Sequence, residues 1–237
     1  FLIAVPRIFN RIYAGIQQRM AKEGGLKKTL FDLAVRVAKA RREKKASGES
    51  DWMLALPHAL LDRIVFSKVR ERFGGRLKES ITGSAAMNPD IGAFFRDLGI
   101  GCYDCYGLSE TTPAVTINCP TAHRPGSVGR PIPQTKVVID TTLGDPTTGD
   151  GEIIVYGPNV MKGYHNKPEA TAAVMTEDGG FRTGDRGRLD DDGYLFITGR
   201  IKEQYKLENG KYVFPAAIEE EIKLLPWVLN VMVHGDG

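Results

Sequence analysis

Apolar positions change their period along this chain near residue 112. Upstream, Leu26, Leu30, Leu33 and Val37 recur at the three-and-four spacing of one helix face. Leu61, Val65, Val69 and Phe73 mark a second helix over 58–73, closed by Gly74-Gly75, which can leave a helix in the left-handed conformation. Asn88-Pro89-Asp90 supplies an N-cap, a proline at the first helical position and a first-turn acid. It predicts a helix with Ile91, Phe94, Phe95 and Leu98 facing inward until Gly99 ends it. Residues 1–5 read as a strand, as do 77–81. Downstream, 114–117, 136–140, 152–156 and 194–198 are short strand-like runs separated by Gly, Pro, Asn and Asp turns. Asp190-Asp191-Asp192-Gly193 lacks the alternating spacing and distal Glu of a calcium loop and predicts a hairpin turn. Asn209-Gly210 predicts another hairpin. Pro215 opens a helix with Ile218, Ile222 and Leu225 on one face, Pro226 ends it, and 228–233 returns as a strand.

Charge shifts along with the period. Residues 19–45 carry ten Lys/Arg against three Asp/Glu, and residues 140–192 carry eleven acids against five bases. The basic helix reads first as a solvated face over a core-facing stripe, and second as a surface for an anionic membrane. A hydrophobic content of 42% and a charged content of 26% are ordinary for a globular protein. The net charge of +3 is too small to argue for nucleic acid, and the basic stretch has no aromatic interleaving, so no nucleic-acid partner is expected. No apolar run reaches the length of a membrane span. Phe1–Val5 is too short for a signal peptide; with no starting Met and a stop soon after a strand-like run, the sequence reads as an internal piece of a longer protein. Three cysteines and no Asn-x-Ser/Thr site point to a reducing cytoplasmic compartment. Cys102-Tyr103-Asp104-Cys105 has redox or metal spacing, but no second ligand pair accompanies it, so strand filler is the expectation. His58, His123, His165 and His234 are scattered without metal spacing.

Candidate chemistry lies in an ordered set of motifs. In Tyr106-Gly107-Leu108-Ser109-Glu110-Thr111 the aromatic ring can stack on a flat base. Glu110 is a hard oxygen ligand suited to Mg²⁺ on a triphosphate, and Ser109 and Thr111 can donate to phosphate oxygens. Arg124-Pro-Gly-Ser-Val-Gly129 follows as a turn. Asp185, on the Thr183-Gly184 turn, offers a carboxylate to two vicinal hydroxyls, and Arg200 in Gly199-Arg200-Ile201-Lys202 offers a planar fork to ribose or phosphate oxygens. Thr82-Gly83-Ser84-Ala85-Ala86 is small enough for backbone to approach a ligand closely, or is simply a tight strand-to-helix turn. Singly, these read equally well as strand-end turns, a hairpin Asp and exposed charges. Together they are an inventory for adenine, a magnesium-bound phosphate and ribose.

Over essentially its whole length, from Val5-Pro-Arg-Ile-Phe9 to Val233, the chain resembles the adenylate-forming superfamily and, within it, the long-chain fatty acyl-CoA synthetases. The resemblance implies an α/β fold. Residues 1–198 would be the C-terminal portion of a large AMP-binding domain, with a β-rich, barrel-like part at about 127–197. Residues 199–237 would hold the hinge and the start of a small α+β domain. It implies that a long-chain fatty acid attacks the α-phosphorus of ATP to give acyl-AMP, and that CoA thiol then displaces AMP, with Mg²⁺ as cofactor. The implied catalytic residues are Ser109, Glu110 (also the metal ligand) and Lys202, which sits at the hinge. Gly83, Ser84, Ala85, Tyr106, Gly107, Thr111, Asp185 and Arg200 would contact nucleotide. Lys206 would approach its phosphates, and Gly210 would lie along the pantetheine tunnel. The family usually has glycine where Ser84 stands and more often Thr where Ser109 stands. Arg124–Pro131 would shape a pocket floor. The phosphate loop and a C-terminal catalytic lysine would lie outside residues 1–237, so these residues alone are expected to be inactive. Alternatives are a fatty acyl-AMP ligase feeding a carrier protein, another acid–thiol ligase, or a non-catalytic nucleotide-binding module.

Overall fold

The computed structural model describes residues 1–84, 87–145, 149–201, 205–206, 212–213, 215–222, 225, 227–228 and 230–235. The chain divides into two compact units, Phe1–Tyr103 and Asp104–Gly237.

In the first unit, β1 (Leu2–Ala4) leads into α1 (Pro6–Glu23), whose Pro6 occupies a position where a missing N–H costs nothing. Gly24, at φ +55°, turns the chain into α2 (Gly25–Ala46). Next come α3 (Trp52–Leu61), a π-helical turn (Asp62–Phe66) and α4 (Ser67–Glu71). The expected 58–73 helix is therefore longer at its start and contains a wide turn. Five residues separate Leu61 from Phe66, the spacing of a π turn, and both are buried. β2 (Glu79–Thr82) pairs in parallel with β1, and α5 (Pro89–Asp97) follows. Asn88 Oδ1 accepts from the amides of Asp90 at 2.9 Å and Ile91 at 3.3 Å, so the expected cap is formed. β3 (Gly101–Tyr106) then runs on into the second unit.

The core of the first unit is aromatic. Phe95 meets Phe9 edge-to-face at 5.2 Å and Phe94 at 5.7 Å, and Tyr13 meets Phe94 at 4.9 Å. Edge-to-face pairing adds to the transfer energy of burying each ring. The stripe buried by α2 differs from the expected one: Phe31, Ala34 and Ala38 face the core, whereas Leu26 and Leu33 are exposed. The two alanines bury a small face where neighbouring backbone can approach closely. Cys102 is buried beside Met87 and Ser80, packed as a small side chain of β3. Among the described residues, no helix is long and apolar enough to cross a membrane.

In the second unit, β4 (Thr116–Ile117) pairs antiparallel with β3 and with β5 (Arg130–Pro131). β6 (Lys136–Asp145), β7 (Asp150–Tyr156), β8 (Phe181–Leu189) and β9 (Leu195–Arg200) form an antiparallel sheet in that order, with the short α6 (Pro168–Ala172) between β7 and β8. Among the described residues the sheet is open, so the barrel-like expectation is corrected to a four-stranded meander. Val115, Val137, Ile153, Val155 and Leu195 form its apolar core. β8 was hidden in the sequence by Thr183-Gly184, which reads as a turn. In the fold, Gly184 at φ +72° sits inside the strand, next to a register shift against β7. The expected hairpin joins β8 to β9, with Gly193 at φ +78° and Asp190 Oδ1 accepting from the amides of Asp192 and Tyr194.

The Arg124–Pro131 segment is stapled to that hairpin. Arg124 pairs with Asp190 and Asp192, and Arg124 and Arg130 lie 4.6 and 4.5 Å from the Tyr194 ring centroid. Near the end of the chain come the two-residue strands β10 (Tyr205–Lys206) and β11 (Tyr212–Val213), which pair antiparallel, and α7 (Pro215–Ile222), the helix expected from Pro215. Among the described residues, 228 and 230–233 are not in a strand. Asn209-Gly210 and Pro226 lie outside the described residues.

Candidate functional site

Tyr106 ends β3, and Gly107 follows because the chain crosses itself there. A Cβ on Gly107 would stand 1.6 Å from the Pro113 carbonyl oxygen, so any other residue would push the crossing apart. Ser109–Thr111 then forms a single 3₁₀ turn. Thr111 is fully buried. Its hydroxyl accepts from the Leu108 amide at 2.9 Å and faces the carbonyls of Leu108 and Pro113, so it closes the turn rather than pointing outward. Ser109 is exposed and Glu110 half-buried on the outer side.

A loop after β7 braces this turn. The Met161 amide donates to the Glu110 carbonyl at 2.7 Å, and Asn159 Nδ2 donates to the carbonyls of Thr111 and Ala114 at 3.2 and 2.9 Å. Thr112 returns a bond to the Asn159 carbonyl. The Tyr164 hydroxyl donates to Glu110 Oε1 at 3.0 Å.

The second cluster centres on Asp185. β8 and β9 bring Asp185 opposite Arg200, whose Nε lies 3.1 Å from Oδ1. The Tyr106 hydroxyl, 79 residues away in sequence, donates to Oδ2 at 2.7 Å. Burial first, and then the adjacent Asp185 charge, raise the Tyr106 pKa, so the phenol keeps its proton and remains a donor. The Asp185 amide is fixed by Thr183 Oγ1 at 3.1 Å. Next along β8, Arg186 is buried against Asp150 at 2.6 Å, and Thr198 donates to the other Asp150 oxygen at 2.6 Å. Arg182 bridges Glu152 at 2.6 Å and Asp140 at 3.1 Å, while Glu152 accepts from the Gly184 amide. The strand carrying Asp185 is thus pinned by charge on both sides.

The fold therefore joins Tyr106, Asp185 and Arg200 into one hydrogen-bonded group and puts Ser109 and Glu110 on the turn that begins two residues after Gly107. Oδ1 of Asp185 faces Arg200 and Oδ2 accepts from Tyr106, so the carboxylate is held from two strands. Glu110 accepts from Tyr164 through one oxygen only, and the described residues contain no group of three or more His, Cys, Asp or Glu that could hold a metal. A single carboxylate beside hydroxyl groups suits Mg²⁺, which keeps its waters and binds mainly through substrate phosphates. Gly83 and Ser84 belong to the first unit, where Ser84 adopts φ +71°, the left-handed region that glycine favours. Lys206 lies on β10, paired across to Tyr212. Ala85, Lys202 and Gly210 lie outside the described residues.

Sequence reasoning missed Tyr164, Asn159 and the Arg186–Asp150 pair. The only local signals were Gly163, before the tyrosine, and the excess of acids over 140–192.

Comparison with known proteins identifies the family. Residues 1–165 match the AMP-binding enzyme family. Long-chain-fatty-acid–CoA ligase FadD15 of Mycobacterium bovis is 35% identical over 236 residues, covering all of this chain and 38% of the relative. Peroxisomal long chain acyl-CoA synthetase 7 of Arabidopsis thaliana is 32% identical over 245 residues, covering 99% of this chain and 33% of the relative. The chain thus spans between 33% and 38% of these relatives' length. Among solved structures, O-succinylbenzoate coenzyme A synthetase (MenE) from Bacillus subtilis in complex with AMP aligns at TM-score 0.63 and 26% identity, over 73% of this chain and 37% of that one. ATP-bound MatB from Rhodopseudomonas palustris aligns at TM-score 0.57 and 36% identity, over 68% of this chain and 32% of that one. The family match takes in 165 of the 237 residues, including Tyr106 and Glu110, and the chain therefore belongs to the AMP-binding enzyme family.

Proposed function

We propose that the protein is an ATP-dependent acid–thiol ligase that activates a long-chain fatty acid as its adenylate and passes the acyl group to coenzyme A. The observation that carries this reading is the hydrogen-bonded group Tyr106–Asp185–Arg200, assembled from three separate strands. Asp185 accepts the two ribose hydroxyls, and Arg200 fixes that carboxylate and faces the sugar–phosphate side. The Tyr106 ring gives the base an apolar surface while its hydroxyl holds Asp185. Glu110 and Ser109 address the phosphates. When bound, Mg²⁺ neutralises charge developing on the phosphate oxygens. Transfer at phosphorus asks the protein mainly for positioning and charge stabilisation, which suits a site built of fixed dipoles and pinned charges.

The acid's carboxylate attacks the α-phosphorus and pyrophosphate leaves. The CoA thiol, losing its proton, then adds to the acyl carbon and AMP leaves. Lys202 as the hinge, Lys206 toward the phosphates and Gly210 along the thiol tunnel complete the proposal. So do a boundary between domains at residues 198 and 199 and a cytoplasmic location. The names of the relatives at 32–35% identity support a long acyl chain.

The test is a scan of carboxylic acids from two to twenty carbons, with CoA or an acyl carrier protein as acceptor, using the complete protein and following AMP and thioester. The expected result is AMP and acyl-CoA formation greatest with long chains. Thioester formed only on the carrier protein would reassign the acceptor. A preference for short or aromatic acids would remove the fatty-acid assignment.

A further inference from the structure

The phenol of Tyr164, 54 residues further along the chain, donates to Glu110 Oε1 at 3.0 Å. We infer that Tyr164 is a positioning residue that orients the Glu110 carboxylate for its divalent cation, an inference that rests on Glu110 being the metal ligand of the proposed reaction.

Three features carry it. First, the hydroxyl donates to Oε1 at 3.0 Å and leaves Oε2 without a hydrogen-bond partner among the described residues. That restrains the carboxylate through one of its two oxygens. Mg²⁺ demands near-ideal octahedral geometry, so the orientation of a lone protein carboxylate matters more than it would for a tolerant ion.

Second, Tyr164 is itself fixed by backbone. Its amide donates to Thr171 Oγ1 at 2.9 Å, and Thr171 Oγ1 donates on to the Lys167 carbonyl. The chain reaches this point through Gly163 at φ +148°, where a Cβ would meet Thr171 Cγ2 at 2.8 Å. Third, the loop is tied to the Ser109–Thr111 turn independently of the phenol, through Met161 and Asn159. Removing the hydroxyl therefore frees the carboxylate while leaving the turn braced.

The experiment measures adenylation by the complete protein at saturating ATP as free Mg²⁺ is varied, for wild type, Tyr164→Phe, Thr171→Val and Glu110→Gln. Outer-shell partners of metal ligands are worth roughly ten- to a hundredfold in affinity or activity. Tyr164→Phe is expected to raise the half-saturating Mg²⁺ about tenfold, with kcat at saturating Mg²⁺ and the KM for fatty acid near wild type. Thr171→Val removes the acceptor of the Tyr164 amide without touching Glu110, and should give a smaller shift of the same sign. A wild-type Mg²⁺ curve for both Tyr164→Phe and Thr171→Val, or a fall in kcat with no change in half-saturation, overturns the inference. If Glu110→Gln leaves the Mg²⁺ dependence unchanged, the metal reading of Glu110 itself fails, which is a separate result.

Discussion

The helices of residues 1–103 close on phenylalanine rings, with Phe9, Phe31, Phe66, Phe94 and Phe95 almost wholly buried. The sheet of residues 104–237 also buries charge, with Asp150, Glu152, Asp185 and Arg186 each at most 7% exposed. Apolar packing is tolerant, since any shape-filling hydrophobe contributes. A buried carboxylate keeps its charge only while its partners stay in place. The difference bears on the proposed nucleotide site. Binding a diol and a metal-bound phosphate needs charges held at fixed points, and the second unit already stabilises such charges by pinning β8 between β7 and β9.

The comparison breaks most visibly at the two centres. Phe95→Ala removes a ring that touches Phe9, Phe73 and Phe94 and is expected to cost about 3–5 kcal/mol in urea unfolding, while Phe95→Leu costs far less. Asp150→Ala leaves buried Arg186 without its carboxylate and Thr198 without its acceptor, and should cost about 3 kcal/mol. If the Asp150 charge contributed no more than a surface carboxylate, the loss would be about 0.5 kcal/mol or less.

A smaller effect sharpens the contrast within the first unit. Arg70 donates to both oxygens of Asp62 and holds its carboxyl below the ordinary 3.8, against the opposing effect of burial. Because the folded pKa is depressed, this stability is present above about pH 4 and disappears as pH falls through the folded value. Asp62→Asn should therefore melt below wild type at neutral pH, and the two melting temperatures should converge below pH 3.8. A gap that persists in acid would mean the pair contributes through packing rather than charge. The smallest effect is a gain: Ser84 occupies the left-handed region at φ +71°, so Ser84→Gly should stabilise by about 0.5 kcal/mol in the same unfolding assay.

Legibility followed the same division. The α5 helix could be read from Asn88-Pro89-Asp90 and its apolar period, and the β8–β9 hairpin from Asp190–Gly193, because caps and turns are local physics. Apolar spacing in α2 points to Leu26 and Leu33, whereas packing buries Phe31, Ala34 and Ala38, because size alone does not say which face meets the core. β8 was obscured because Thr183-Gly184 looks like a turn but forms an irregularity within a strand. The motif residues Tyr106, Asp185 and Arg200 were identifiable in sequence, yet their convergence was a spatial expectation that only the fold could supply. Tyr164 and Asn159 gave no periodic or motif signal, because they act across 54 and 48 residues on the turn they brace. Ser84 shows the reverse case: a departure from the family's usual glycine whose cost is visible only in its backbone angle.

The account stands on Asp185 receiving the ribose diol, and a binding cycle on the complete protein measures this directly. Affinities of wild type and Asp185→Ala for ATP and for 2′,3′-dideoxy-ATP give four values. Hydrogen bonds to a charged group are worth about 1.5–3 kcal/mol, so wild type should bind ATP roughly ten- to a hundredfold more tightly than the dideoxy nucleotide. Asp185→Ala should bind both equally and weakly. If Asp185→Ala keeps the wild-type preference for ATP, the diol is read elsewhere and the Tyr106–Asp185–Arg200 group is not the ribose site.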